Sequence, residues 1–438
     1  RGAGLMLERP RLAVLGLDGL PLSLAERLAP RLPNLASLLP GAGSIRAELP
    51  ELSPVNWTSL ATGEGPEVHG VFGFTRLDPA SYELSIVDAT QVACPTVFDR
   101  LGARGLTSRV INLPNTYPAR PLRGMLVAGF VARDLERAVF PPFLAGQLAR
   151  LGYRLEADTT RGAADPEYLL AGLRATLASR RAALDLLWPD LAWDLFVFVL
   201  TETDRLFHFL WSAVTEDSHP LHADCLELLT LWDKLIGVFL ERYAALPEPK
   251  RLLVLADHGF TGLRTEVDLN RWLVEAGLLR LLPPGRHGSE AEWEAARIAP
   301  ESAALALDPG RIHLHTRRAF GRGRLTDAEA ARLAGEIREA LLSLTFQGER
   351  VMEQVFLERE LYPGTNGNMS PPDMLCLARP GFDLKAKFNR DAVFGRFGRD
   401  GTHTAGDAFF RDSAGSRPER MRDAGRLILS HFGIHACP

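Results

Sequence analysis

Two places in the chain set a carboxylate and an imidazole at ligand spacing. In "TETDRLFHFLW", Asp204 and His208 stand four apart, so on a helical turn they share one face. An oxygen and a nitrogen donor at that spacing can grip a borderline metal such as zinc. Taken alone, the pair is better explained by Asp204 capping a helix and His208 packing on its apolar side. In "LLVLADHGF", Asp257 and His258 directly follow a hydrophobic run, and Gly259 permits a sharp exit. A strand-end turn with an Asp–backbone bond accounts for the same residues. Asp18 closes "LAVLGLD" ahead of Gly19, and His403 sits in the Gly-rich "GRDGTHTAGDAFF", by itself an ordinary loop histidine.

A different chemistry opens at "SPVNWTSLATG". Ser53 before Pro54 reads as a helix N-cap with proline at the first helical position. The same geometry suits an anion, because a helix N-terminus offers unpaired N–H groups and a positive dipole end. A Ser53 hydroxyl placed there faces a bound phosphate, and Asn56, one turn on, adds an amide donor. Trp57 and Phe74 are aromatic candidates for contact with a leaving group.

The separate signals gain weight together because their chemistry closes. Asp18, Asp257, His258 and Ser53 can surround one metal, and Asp204, His208 and His403 a second with an open position. Two cations form a clamp for in-line displacement at phosphorus. Histidine and aspartate donors favour zinc, with manganese or iron as alternatives.

These residues need elements to hold them. Short apolar runs at 12–18, 108–114, 124–130, 194–204, 251–259, 311–315 and 373–378 read as strands. Runs so continuously apolar mark a sheet buried on both faces. Helical patterns at about 22–38, 166–188, 222–245, 325–344 and 419–432 alternate with them. The expectation is an α/β fold with a mostly parallel sheet and helices on both sides. Ligands in such folds bind beyond the C-terminal strand ends, where Asp18, Asp204 and Asp257 fall. Segments 131–165 and 281–325 are irregular and read as lid or cap insertions on a single domain spanning 1–438.

The bulk composition is that of a globular chain. It has 438 residues, 46% hydrophobic and 24% charged, with net charge -4 and interspersed signs. The absence of a basic tract speaks against a nucleic-acid footprint. Four scattered cysteines without a CxxC pair suggest neither a thiolate zinc site nor a disulfide framework. No apolar run is long enough to span a bilayer. The strand-like "RLAVLGLDG" starts within ten residues, with no signal-peptide core ahead of it. That favours a cytoplasmic location, with a removed leader as the alternative because the chain begins with Arg.

The ordered set Asp18, Ser53, Asp204-x-x-x-His208, Asp257-His258, His403 resembles the alkaline phosphatase superfamily, most closely its type I phosphodiesterase/nucleotide pyrophosphatase branch. "LGLDGLP", "SPVNWTSLATGEGPEVHGVFGF", "INLPNTYP", "DLFVFVLTETDRLFHFLW", "PPDMLC" and "GTHTAGDAFF" carry the likeness over almost the whole chain. It implies an alkaline-phosphatase-like three-layer α/β/α sandwich with lid insertions, two divalent metal ions, and hydrolysis of a small-molecule phosphate ester. Ser53 takes the nucleophile position, where this branch often has Thr, and His69 of "P-x-x-H-G" is structural. One departure concerns the phosphate-binding Asn that the branch carries shortly after that H-G. Val71-Phe72-Gly73-Phe74 stands there instead, so Asn56 is the substitute candidate and nucleotide specificity is not implied. Phosphomonoester and phosphonate monoester hydrolysis are the alternatives within the superfamily, and a catalytically silent phospho-ligand-binding homologue is the alternative outside catalysis. Ser53-Pro54-Val55-Asn56-Trp57 does not match the sulfatase C/S-x-P-x-R pattern.

Overall fold

The computed structural model describes residues 10–285, 288–365 and 369–434. The chain clusters into two compact units, one of residues 1–65, 88–260 and 403–438, the other of 66–87 and 261–402.

The first unit is built on an eight-stranded sheet: β1 (Arg11–Leu17), β2 (Gly43–Ile45), β3 (Ser108–Leu113), β4 (Gly124–Ala128), β5 (Val139–Phe140), β6 (Leu195–Leu200), β7 (Lys250–Leu255) and β8 (Ala408–Asp412), in the order β2-β8-β7-β1-β6-β3-β4-β5. The five central strands, β7-β1-β6-β3-β4, run parallel, and antiparallel strands close both sides. The expected α/β fold with a mostly parallel sheet is therefore present.

Alternation along β6, "LFVFVL", shows how both faces are covered, since successive side chains point to opposite faces. Phe196 and Phe198 pack on Trp188, the C-cap of the Pro166–Leu187 helix, and on Phe239 of the His222–Ala244 helix, with ring centroids 4.7 Å (Trp188–Phe196) and 5.7 Å (Phe198–Phe239) apart. Val199 faces the other way, beside Gly16 of β1. There the indole of Trp57, from the Ser53–Thr62 helix, lies so close that a Cβ on Gly16 would come within 2.6 Å of it. Glycine at 16 is what lets that helix sit down on the sheet.

The second unit has its own core and a four-stranded antiparallel sheet, Ala304–Leu307, Arg311–Leu314, Met374–Ala378 and Met352–Leu357 in that order. The runs at 311–315 and 373–378, expected in the parallel sheet, belong here. The reason is local: Asp308-Pro309-Gly310, with Gly310 at φ 64°, turns the chain straight back, and a tight hairpin imposes antiparallel pairing. The Asp327–Ser343 helix of this unit starts on a Thr326/Glu329 capping box. Segment 131–165 lies in the first unit and includes β5 and the Phe143–Arg150 helix. Segment 281–325 lies in the second, except that 286–287 fall outside the described residues. Among the described residues, no helix is long and apolar enough to cross a membrane.

At the sheet's C-terminal-segment side, Arg251 of β7 grips buried Asp412 of β8 with a fork of two bonds, 2.9 and 2.6 Å. Burial alone would raise Asp412, but Arg251 and the N–H groups of Ala414 and Ser416 hold it at about 2. A depressed folded-state pKa adds stability that is full above about pH 4 and is lost as pH falls towards 2. Asp412→Asn is expected to lower unfolding free energy by about 2 kcal/mol at pH 7. In urea titrations the gap between variant and wild type should close as pH drops below 4; a gap independent of pH contradicts the assignment.

Candidate metal centre and active site

The parallel strands deliver the acidic residues to one rim. Asp18 follows β1 directly, Asp257 and His258 follow β7 after one residue, and Asp204 lies in the first turn of the Glu202–Thr215 helix that follows β6. His208 is one turn further along that helix, and His403 comes from the short strand Gly401–Thr404 that precedes β8. The central strands thus bring Asp18, Asp204 and Asp257, far apart in sequence, to one place beyond their C-terminal ends, where His403 joins them from outside that sheet.

Two donor sets converge there. In the first, His403 Nε2 is 3.0 Å from His208 Nε2 and 3.1 Å from Asp204 Oδ1, which is 3.4 Å from His208 Nε2. In the second, His258 Nε2 is 3.3 Å from Asp257 Oδ2 and 3.8 Å from Asp18 Oδ1. His258 also stands 3.8 Å from Asp204 Oδ1, so the sets adjoin.

The hydroxyl of Ser53 lies in the second set, 3.3 Å from His258 Nε2 and 3.5 Å from Asp18 Oδ1. Ser53 does not act as the expected helix cap. It is the first residue of the helix, Leu52 holds the cap position, and no side chain caps it.

The buried charges at this rim press on one another. Burial, then Asp257 and Asp204, drive Asp18 well above the usual carboxylate range. Burial and Asp204 push Asp257 up to about 6. Asp204, though burial alone would raise it, is held well below that range by His208, His403 and Arg205. Burial holds His258 and His403 below the usual imidazole value.

Supporting contacts fix which atoms face the centre. His258 Nδ1–H donates to the Gly259 carbonyl at 3.0 Å and His403 Nδ1–H to the Glu51 carbonyl at 2.8 Å, so in the neutral form each ring carries its lone pair on the inward-facing Nε2. Asp257 Oδ1 accepts the Gly19 N–H at 3.1 Å, which requires the turn that Gly19 makes at φ +69°. Asp257 Oδ2 is buried with no hydrogen-bond partner. Asp18 Oδ2 accepts the Trp57 indole N–H at 3.0 Å, and its carbonyl accepts the Thr203 hydroxyl at 2.6 Å. Inward-facing lone pairs, three carboxylates and an orphaned oxygen form a donor set that fits divalent cations, with the outer bonds that orient metal ligands.

Of the substrate-side residues expected from sequence, the structure uses two differently. Asn56 is fully buried, its Oδ1 accepting the Glu48 N–H at 2.6 Å and its Nδ2 donating to the carbonyls of Glu48 and Leu52. It ties the 48–52 loop to the helix rather than presenting an amide to a ligand. Trp57, also fully buried, supports Asp18 instead of meeting a leaving group. Phe74 lies in the second unit, where its carbonyl accepts the Val87 N–H. His69 is buried there, and its Nδ1 accepts the Val71 N–H, a structural use.

The model of the family described as "Type I phosphodiesterase / nucleotide pyrophosphatase" matches residues 12–405, nearly the whole chain. The chain belongs to the type I phosphodiesterase/nucleotide pyrophosphatase family. It is thereby a metal-dependent hydrolase of phosphoric esters with an alkaline-phosphatase-like fold. No curated protein matches it at a significant level. Among solved structures it is similar to phosphonoacetate hydrolase from Sinorhizobium meliloti 1021 in complex with phosphonoacetate, at TM-score 0.64 and 15% identity, covering 97% of this chain and 96% of that one. It is also similar to human ectonucleotide pyrophosphatase/phosphodiesterase 5, at TM-score 0.57 and 13% identity, covering 98% and 96%.

Trp57→Phe keeps the aromatic bulk and deletes the bond to Asp18. Loss of such an outer-sphere bond is expected to loosen zinc by about 10- to 100-fold at one site, read by equilibrium dialysis. Unchanged affinity would reduce Trp57 to a packing residue.

Proposed function

We propose that this family member hydrolyses singly charged phosphoryl esters, phosphodiesters first, through a covalent intermediate on Ser53. Two divalent ions, zinc by donor chemistry, would be held by Asp18, Asp257, His258 and Ser53 and by Asp204, His208 and His403. The observation that carries the reading is the Ser53 hydroxyl inside one donor set, 3.3 Å from His258 Nε2, with the other set adjoining through Asp204, 3.8 Å from the same nitrogen.

When bound, the cations acidify a coordinated hydroxyl and neutralise charge on the phosphoryl oxygens. Ser53 Oγ, having lost its proton, attacks phosphorus in line. The Oγ–P bond forms as the ester P–O bond opposite breaks; the Ser53 proton passes to solvent, and the leaving alkoxide takes one from solvent to depart as the alcohol. Water then attacks the phosphoseryl phosphorus from the vacated side and releases Ser53. Backbone donors are few: Pro54 has none, and the Asn56 N–H is bonded to the Leu52 carbonyl at 3.0 Å. That leaves phosphoryl oxygens to the N–H groups of Ser53 and Val55 and to the ions.

Charge supports the choice of ester. Arg205, the guanidinium adjoining the centre, is bonded to Asp204 at 2.6 Å and to Glu156 at 3.4 Å, so its charge is already matched. A monoester brings a second negative charge, which Arg205, already matched, does not balance. Phosphonate monoesters carry the same single charge as diesters and form the second reading.

Ser53→Ala is expected to lower kcat on bis-p-nitrophenyl phosphate by at least about 10³-fold while both ions stay bound. Survival of activity would misplace the nucleophile. Two inversions predict net retention at phosphorus with a chiral phosphorothioate diester; inversion rejects the covalent step. Wild-type kcat/KM should be higher for bis-p-nitrophenyl phosphate than for p-nitrophenyl phosphate, and the reverse order overturns the charge argument.

A further inference from the structure

Asp204 meets its surroundings with two oxygens in different roles. Oδ1 faces the histidines, 3.1 Å from His403 Nε2 and 3.4 Å from His208 Nε2. Oδ2 points away and accepts Nη1–H of Arg205 at 2.6 Å. Arg205 is itself held on two sides. Its Nε donates to Glu156 Oε2 at 3.4 Å, and its guanidinium carbon lies 4.4 Å from the centroid of the Phe130 ring.

Glu156 is fixed in turn from the sheet's helical layer. Arg180, buried in the Pro166–Leu187 helix, donates to the carbonyls of Arg154 and Leu155 at 2.7 and 2.6 Å and to the Tyr153 hydroxyl at 2.8 Å. It thereby clamps the three residues before Glu156. Its own charge faces Glu202, with Nε 3.5 Å from Oε1. The result is a line of alternating charge, Glu202, Arg180, Glu156, Arg205, Asp204, that ends on Oδ2, the Asp204 oxygen turned away from the histidines.

We propose that Arg205 is a positioning residue that keeps Asp204 a one-oxygen ligand, and that Glu156 matches the Arg205 charge so that it does not repel the neighbouring cation. A carboxylate with both oxygens free can close on a metal in bidentate fashion. Sequestering Oδ2 prevents that and leaves a coordination position open for the reacting oxygen. Phosphoryl transfer needs such an open position. Segment 153–156, part of the stretch expected from sequence to be a lid, is in this account a strut for the centre. The inference rests on the reading of Asp204 as a metal ligand.

The two partners then have opposite effects on metal binding, which a merely structural role would not produce. Arg205→Met keeps the apolar stem over Phe130 and frees Oδ2. It is expected to hold zinc at least as tightly as wild type, by equilibrium dialysis, while kcat falls about 10- to 100-fold. In the cobalt-loaded protein its visible d–d bands should weaken as both Asp204 oxygens enter the coordination shell. Glu156→Gln leaves the guanidinium charge unmatched and should loosen one of the two zinc sites about ten-fold. It also keeps the test decisive where Arg205→Met fails to fold. Loss of zinc from Arg205→Met with unchanged cobalt bands, or wild-type zinc affinity in Glu156→Gln, overturns the proposal. Asp204→Asn separates this from failure of the underlying reading. If that variant keeps both ions at wild-type affinity, Asp204 is not a ligand. If it loses one ion while the other two variants behave as wild type, only the positioning role falls.

Discussion

Asp18, Asp204 and Asp257 are held out of water within reach of a single imidazole nitrogen, His258 Nε2, at 3.8, 3.8 and 3.3 Å. Asp18 and Asp257 bring ligand oxygens within 4.8 Å of each other, where buried like charges repel, and each carboxylate has also lost its hydration. Protons can relieve the strain in part, which is why Asp18 and Asp257 are pushed upward. Divalent cations relieve it more fully and are what the inward-facing histidine lone pairs suit. The rest of the site is a means of keeping this unfavourable cluster assembled.

The parallel sheet does that work with chain direction. Because β7, β1 and β6 run the same way, their exits converge, and residues far apart in sequence arrive at one rim without long connecting loops. Five of the seven candidate ligands are held by outward bonds, Trp57 to Asp18, Gly19 to Asp257, Arg205 to Asp204, and the Gly259 and Glu51 carbonyls to His258 and His403. Close packing makes those bonds possible: Gly16 admits the Trp57 ring against β1, and Gly19 makes the left-handed turn that puts its N–H on Asp257.

Ser53 and His403 drew weight only from the set as a whole, whereas Asp18, Asp204, Asp257 and His258 were legible as candidate ligands because each is a polar residue at or just past the end of a continuous apolar run, with His208 one helical turn beyond. The central strands were legible for the same reason. The outward bonds were not. Nothing in the spacing of Trp57, Asn56 or Arg205 says which atom each one faces; that depends on helix rotation and on packing against Gly16. Asn56 and Trp57 both looked suited to a substrate, and folding spends the one on the 48–52 loop and the other on Asp18. Short runs such as "RIHLH" carry the composition of a buried strand without its pairing direction, which the Asp-Pro-Gly turn before it decides.

Two cations in two adjoining donor sets are the condition for the chemistry proposed at Ser53. Anomalous diffraction from crystals soaked in zinc at neutral pH tests this directly. The expected map has two peaks per chain, one among Asp18, Asp257, His258 and Ser53, the other among Asp204, His208 and His403. A single peak shared by all seven residues, or full occupancy at one set with the other empty in an active enzyme, would contradict it.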